Sequence, residues 1–146
     1  MLDLSKRRTF EMEHRIRSSF ARQSMMQTLG ANIESVSDGE VVITAPILPG
    51  SRQQHDAAHA ALSFAIGDTA AGYAALTKMP EDSEVMTAEM KINLLAPGAG
   101  DSLRATGKVI KPGRRLVIVT AEVHALQGSQ EKLIAILQGT MVPVAS

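Results

Sequence analysis

The stretch from Asp56 to Met79 constrains the fold most, because it predicts one long helix with apolar or small residues on every face. Alanine, the strongest helix former, recurs through it, and Pro80 ends it. Asp56 is the expected N-cap, and at 1.5 Å per residue the helix is about 33 Å long. A charge in mid-segment and the scarcity of leucine argue against a membrane span. The rest of the chain must therefore enclose this helix.

Asp68 is the only charged residue between Asp56 and Lys78. A buried carboxylate costs several kcal/mol unless it is paired or hydrogen-bonded, so Asp68 either holds a neighbouring loop or serves chemistry. His59 stands nine residues earlier, on the opposite side of the helix and about 13 Å away along its axis. A site that uses both residues must take them from two protomers, and a two-fold dimer would contain two such sites.

Composition limits the class of protein. A chain of 146 residues fits one domain, and a formal net charge of zero gives no reason to expect nucleic-acid binding. The absence of cysteine excludes disulfides and thiolate chemistry, and together with the lack of an evident secretory signal it leads us to expect a cytoplasmic protein. His55 and His59 are four residues apart, but no third ligand follows at a recognisable spacing, so we expect no metal.

The order of predicted elements indicates an α+β fold, in which a curved antiparallel sheet of about six strands wraps the central helix. Residues 1–29 read as an N-terminal helical arm and residues 30–146 as the main part of one domain. Ser37-Asp38-Gly39 predicts a hairpin before the central helix, and four strands in a meander are expected after it. The six predicted strands cover residues 31–36, 40–48, 85–96, 101–110, 116–126 and 132–142.

The string His59-Ala60-Ala61, with Asp68 at the nine-residue spacing, resembles the His-Gly-Gly…Asp signature of hotdog-fold acyl-CoA thioesterases of the phenylacetate-pathway (PaaI) type. Residues 87–97 are similar to a strand of that family that ends in proline, and residues 109–117 to its next hairpin. The resemblance runs from about residue 24 to residue 142 and implies the hotdog fold, in which the sheet wraps the helix. It also implies a homodimer, or a dimer of dimers, with the protomers paired along their sheets.

The resemblance implies roles for five residues. Asp68 would be the nucleophile or general base, and the backbone N–H of Ala60 would hold the thioester oxygen from across the dimer interface. Gln53 stands where the family has Asn and would position water or the carbonyl. His59 would support the loop and the helix end, and Thr87 would lie near the acyl group. The implied reaction is hydrolysis of a thioester to a carboxylic acid and free coenzyme A, which needs no metal or cofactor because coenzyme A is part of the substrate.

Lys111, Arg114 and Arg115 share one turn and suit the phosphates of coenzyme A, although a solvated hairpin tip explains them equally well. The sequence departs from the family pattern at two places: Ala-Ala replaces Gly-Gly at residues 60–61, and Gln53 replaces Asn. These departures leave open the alternative of a hotdog protein that binds acyl-CoA without cleaving it. A third alternative is a hotdog enoyl-CoA hydratase or dehydratase, which pairs a histidine with a carboxylate.

Overall fold

A 17-residue helix, α3 (Ala60–Leu76), lies against a six-stranded antiparallel sheet in the computed structural model, which describes residues 3–146. The sheet is curved and open, so the predicted α+β hotdog architecture is confirmed. The other elements are α1 (Leu4–Ala21), α2 (Ser24–Leu29), β1 (Asn32–Ser37), β2 (Glu40–Pro46), a short 3₁₀ helix (Pro49–Ser51), β3 (Ser83–Leu94), β4 (Ser102–Pro112), β5 (Val117–Gln127) and β6 (Gln130–Ala145).

The strand order is β1-β2-β4-β5-β6-β3, so the expected four-strand meander is wrong in one connection. Strand β3 pairs with β6, from Ser83 opposite Ala145 to Leu94 opposite Ala135, whereas β4 pairs with β2 and β5. Helix α3 carries the chain from β2 across the sheet, so β3 lies at the opposite edge. The chain then crosses back, and β4 pairs beside β2. As a result β3, a strand of 12 residues, is an open edge of the sheet.

The central helix begins later than the sequence predicts and is only about 25 Å long. Asp56 is not its N-cap, because the backbone of Asp56 has a φ of 70° and belongs to the preceding loop. His59 caps the helix instead, since its Nδ1 accepts a hydrogen bond of 2.9 Å from the Ala61 N–H. The His59 N–H donates to the Ser51 carbonyl at 2.9 Å, which ties the helix start to the 3₁₀ turn.

Helix α3 is buried on every face over residues 70–76, as the sequence predicts, but its N-terminal half is buried only on the side that faces the sheet. At Gly107 the backbone of β4 approaches α3 so closely that a Cβ atom would lie 2.4 Å from the carbonyl carbon of Ala70. On the opposite side, Ala60, Ala61 and Phe64 are exposed and Asp68 is half-buried. Alanine fits either environment, so an alanine-rich sequence conceals which face is covered.

The helical arm predicted within residues 1–29 is confirmed as helical, and it consists of two helices, α1 and α2, with a break between them. Ile16 of α1 and Met26 of α2 are buried in the same hydrophobic cluster as α3 and the sheet. Gly30 ends α2 with a φ of 70°, a conformation that favours glycine. The boundary between an arm of residues 1–29 and a domain of residues 30–146 stays a prediction.

Over residues 3–146, no helix is both long and apolar enough to cross a membrane.

Candidate active site

Asp68 lies on the half-exposed side of α3, where strand β3 passes beside the helix. The Thr87 hydroxyl donates a hydrogen bond of 2.8 Å to Asp68 Oδ1 and contacts Met141 Sδ at 3.3 Å. The register of β3 against β6 shifts just after Thr87, where the strand bulges. Partial burial raises the pKa of the Asp68 carboxyl above its usual value, and the hydrogen bond from Thr87 opposes that increase only in part.

A cavity of about 140 Å³ opens beside this carboxylate. Its walls come from the arm, α3, β3 and β6, and include Gln23, Asp68, Tyr73, Val85, Thr87 and Met141. Two larger cavities, of about 690 and 480 Å³, lie between α1 and the C-terminal end of α3 and on the outer face of the sheet. Neither of them contains a site residue predicted from the sequence, so the small cavity is the candidate site.

The N-terminus of α3 presents a backbone amide. Ala60 is the first residue of the helix, and His59 caps the Ala61 N–H rather than that of Ala60. Among the described residues, the Ala60 N–H has no acceptor. Free amides and the positive end of the helix dipole suit a developing oxyanion. Ala60 and Asp68 are eight residues apart, about 12 Å along the axis, so one chain does not bring them together.

Gln53 lies in the loop before α3 and is engaged within that loop. Its side-chain Oε1 accepts hydrogen bonds from the backbone N–H groups of His55 and, at 3.4 Å, Ala57. Arg52 supports the same loop by donating to the carbonyls of Ile47 and Asp56, at 2.9 and 2.6 Å. These contacts fix the entry to the helix and, with it, the position of the Ala60 amide.

Lys111, Arg114 and Arg115 are exposed at the connection between β4 and β5. Residue pairing across the sheet gives the distance between this connection and the site. Thr87 of β3 pairs with Met141 of β6, Met141 pairs with Val117 of β5, and Val117 pairs with Pro112 of β4. Three strand spacings, about 14 Å, therefore separate Thr87 from the basic turn. The structure places the three cations away from Asp68, at the β4–β5 end of the sheet rather than on the strands that wall its cavity.

The sequence did not point to several residues of the cavity wall. Tyr73 is buried, its hydroxyl accepts a hydrogen bond of 2.7 Å from Gln23 Nε2, and it lies 2.9 Å from Ser19 Oγ. A single tyrosine five residues after Asp68 was a usable signal, whereas nothing in the sequence places Gln23 here. Within residues 3–146, no three histidine, aspartate or glutamate side chains converge to hold a metal ion.

Comparison with known proteins agrees with this fold and shows the family. The family model described as the thioesterase superfamily matches residues 55–132, just over half of the chain. A thioesterase family protein from Silicibacter pomeroyi superposes with a TM-score of 0.90 at 36% identity, covering 92% of this chain and 99% of that one. The acyl-coenzyme A thioesterase PaaI of Escherichia coli is 26% identical over 121 residues, 82% of each chain. The E. coli PaaI structure has a TM-score of 0.84, covering 94% of this chain and 96% of its own, at 23% identity. At this identity the likeness shows the fold alone.

The fold defines a hotdog protein of the thioester-hydrolase class, and the chain is similar to the PaaI thioesterase of E. coli. The chain belongs to the thioesterase superfamily.

Proposed function

We propose that this protein is an acyl-CoA thioesterase in which Asp68 activates the attacking group. One observation carries the assignment: the half-buried Asp68 carboxylate is held by Thr87 at the wall of a cavity large enough for a small acyl group. Burial keeps the pKa of Asp68 raised, which makes its carboxylate a better proton acceptor than an exposed one. The named relative PaaI, an acyl-coenzyme A thioesterase, supports the choice of substrate class.

The proposed reaction consumes the thioester and one water molecule and yields a carboxylic acid and free coenzyme A. As a general base, Asp68 takes a proton from water, and the oxygen of that water bonds to the thioester carbon. As a nucleophile, Asp68 attacks that carbon itself, and water then hydrolyses the resulting anhydride. In both routes the carbon–sulfur bond breaks, and coenzyme A leaves as a thiolate that takes up a proton. The Ala60 N–H donates to the carbonyl oxygen while it carries negative charge.

A complete site needs two protomers, because Ala60 and Asp68 are about 12 Å apart along one helix. Two features of the surface support such pairing. The exposed side of α3 carries Ala60, Ala61 and Phe64, and β3 is a 12-residue open edge with Met86 exposed. Unpaired edge strands with apolar residues are templates for pairing with another chain. We propose a homodimer, or a dimer of dimers, in which the Asp68 of one protomer faces the Ala60 amide of the other.

The remaining predicted residues take supporting roles in this proposal. Gln53 and His59 hold the loop and the start of α3, so they position the Ala60 amide rather than contact the carbonyl through free side chains. Thr87 orients Asp68. Lys111, Arg114 and Arg115 bind the phosphates of coenzyme A at the end of the β4–β5 hairpin.

The hydration alternative receives little support from the contacts of His59. Its Nδ1 is occupied by the Ala61 N–H, so a neutral His59 carries its proton on Nε2 and offers no free ring nitrogen to accept another. His59 therefore does not supply the base of a histidine–carboxylate pair, and the named thioesterase relative favours hydrolysis.

The direct test is release of free thiol from a panel of acyl-CoA substrates. We expect turnover by the wild type and a loss of about 100-fold or more in kcat for Asp68→Asn. Asp56→Asn, which changes an exposed carboxylate of the preceding loop, is the matched control and should retain activity. Equal rates for wild type and Asp68→Asn would remove Asp68 from the mechanism. Tight binding of acyl-CoA without release of thiol by the wild type would select the non-catalytic alternative.

A further inference from the structure

The cavity beside Asp68 extends along α3 to a wall that the N-terminal arm supplies. Asp68 and Tyr73 both line it and are five residues apart, which separates them by about 7.5 Å along the helix axis. Gln23, from the junction between α1 and α2, lines the same cavity and donates to the Tyr73 hydroxyl at 2.7 Å. The cavity therefore runs from the carboxylate to a Tyr73–Gln23 pair that joins the central helix to the arm.

This wall is held firmly in place. Tyr73 is buried, and its hydroxyl has two partners, Gln23 Nε2 and Ser19 Oγ, both from the arm. A shift of the arm would leave a buried hydroxyl unpaired, which is costly. Ile16 and Met26 anchor the arm in the core on either side of Gln23. The position of the Gln23 side chain is thus fixed by contacts independent of any ligand.

The size and lining of the cavity limit what fits between Asp68 and this wall. Its volume is about 140 Å³, and a cavity of about 150 Å³ holds a ligand the size of benzene. Val85 and Met141 give the cavity apolar sides suited to an acyl group. A long acyl chain that starts at Asp68 would reach Gln23 before it ended.

We propose that Gln23 limits the length of the acyl group, so that the protein accepts short acyl chains and rejects long ones at the Tyr73–Gln23 wall. This inference rests on the proposed function, because it takes the cavity beside Asp68 as the acyl site. It makes the N-terminal arm part of the substrate pocket and gives it a role in specificity.

Binding of coenzyme A thioethers tests the inference without turnover, since an S-alkyl group has no carbonyl to hydrolyse. S-butyl- and S-decyl-coenzyme A are titrated by calorimetry into the wild type, Gln23→Ala and Gln27→Ala. Gln27 is the matched control, because it lies on the arm, is exposed, and donates to the Ala21 carbonyl outside the cavity. We expect the wild type and Gln27→Ala to prefer the butyl ligand, and Gln23→Ala to shift the affinity ratio toward the decyl ligand by about tenfold or more.

One further variant separates the bulk of the Gln23 side chain from its hydrogen bonding. Gln23→Met keeps the volume of the side chain and should retain the preference for the butyl ligand. If Gln23→Met shifts the ratio as far as Gln23→Ala does, steric limitation of length by Gln23 is overturned. If Gln23→Ala does not fold, Gln23→Trp tests the same wall in the opposite sense: weakened binding of the butyl ligand supports the inference, and unchanged binding overturns it.

The outcomes distinguish this inference from the proposed function. An unchanged affinity ratio in Gln23→Ala overturns the length limit and leaves hydrolysis untouched. Length-dependent binding that responds to Gln23, in a wild type that releases no thiol from acyl-CoA, supports the inference and contradicts only the proposed function. A wild type that binds neither thioether overturns the length limit, and release of thiol from acyl-CoA then decides on the proposed function.

Discussion

The hydroxyl of Thr87 on β3 donates a hydrogen bond of 2.8 Å to the Asp68 carboxylate on α3. This contact joins the edge strand to the central helix beside the cavity. It stabilises the ionised form of Asp68 and so opposes the increase in pKa that burial causes. Thr87 therefore lowers the pH at which Asp68 loses its proton, although burial has the larger effect on its pKa.

Replacing Thr87 with valine should move the acid limb of the pH–activity profile to higher pH. The change removes the hydrogen bond that lowers the pKa of Asp68 while keeping the shape of the side chain, so the carboxylate takes up a proton at a higher pH. The measurement is kcat/KM against pH for an acyl-CoA substrate. Thr140→Val is the matched control, because Thr140 donates to a different carboxylate, that of Glu89. An acid limb that does not move would show that Asp68 ionisation does not govern activity.

Asp68 should make the folded protein less stable at neutral pH. Folding raises the pKa of Asp68 and therefore favours its protonated form. The stability that this form contributes is fully present below the pKa of Asp68 in the unfolded chain. It is lost as pH rises through the pKa of Asp68 in the folded protein. We expect Asp68→Asn to raise the Tm at pH 7, since asparagine is neutral and its oxygen still accepts from Thr87. The difference should shrink as pH falls from the folded pKa to the unfolded pKa and stay constant below it. A Tm difference independent of pH would contradict the assigned pKa shift.

Removing the cations of the β4–β5 turn should weaken substrate binding without changing the chemical step. We expect Arg114→Gln combined with Arg115→Gln to raise KM by about fivefold at low salt and to leave kcat nearly unchanged, because phosphate contacts act equally in ground and transition states. The effect should fade as salt is added. Arg7→Gln, which alters a cation of α1 paired with Glu11, is the control. If KM and its salt dependence do not change, the turn is only a solvated hairpin tip.

The arm should contribute to stability through Ile16 rather than through its exposed residues. Ile16 is 0% exposed, whereas Phe10 on the same helix is 72% exposed. Ile16→Ala should lower the free energy of unfolding by about 2–5 kcal/mol, and Phe10→Ala by less than about 0.5 kcal/mol. Chemical denaturation of the two variants measures both values. Equal, small losses would mean that the arm does not belong to the folding unit of residues 30–146.

The sequence predicted the fold because its strongest local patterns agree with the structure. The long apolar stretch became α3, and each predicted strand overlaps an observed one. The pairing of β3 with β6 was not predictable from adjacency along the chain, since it depends on where α3 carries the chain. The N-cap was also missed, because Asp56 has the better side chain for capping but a backbone conformation that places it outside the helix.

The candidate site was predictable only as far as a local motif reached. The spacing of His59 and Asp68 and the resemblance of residues 87–97 brought Asp68 and Thr87 to attention, and the structure places these two in contact. Gln23 was missed because its place depends on packing of the arm against α3 through Tyr73. The participation of a second protomer follows from distance along one helix, and it stays a prediction.

The most direct test of the account is restoration of activity by mixing two inactive variants. Ala60→Pro removes the Ala60 N–H at the first helical position, where proline is favoured, and the extended backbone of His59 suits a following proline. Both Ala60→Pro and Asp68→Asn should lose about 100-fold or more in kcat as separate proteins. Exposed Ala61 lies next to Ala60, and Ala61→Ser, which keeps the N–H capped by His59, is the control that should remain active.

In a hetero-oligomer of these two variants, one site receives Asp68 from the Ala60→Pro chain and the Ala60 amide from the Asp68→Asn chain. Unfolding and refolding the variants together as an equal mixture should therefore restore about one quarter of wild-type activity, since half of the dimers are mixed and each holds one intact site of two. Activity in the refolded mixture no higher than the mean of the separate variants, with mixed dimers shown to form, would contradict a site shared between protomers.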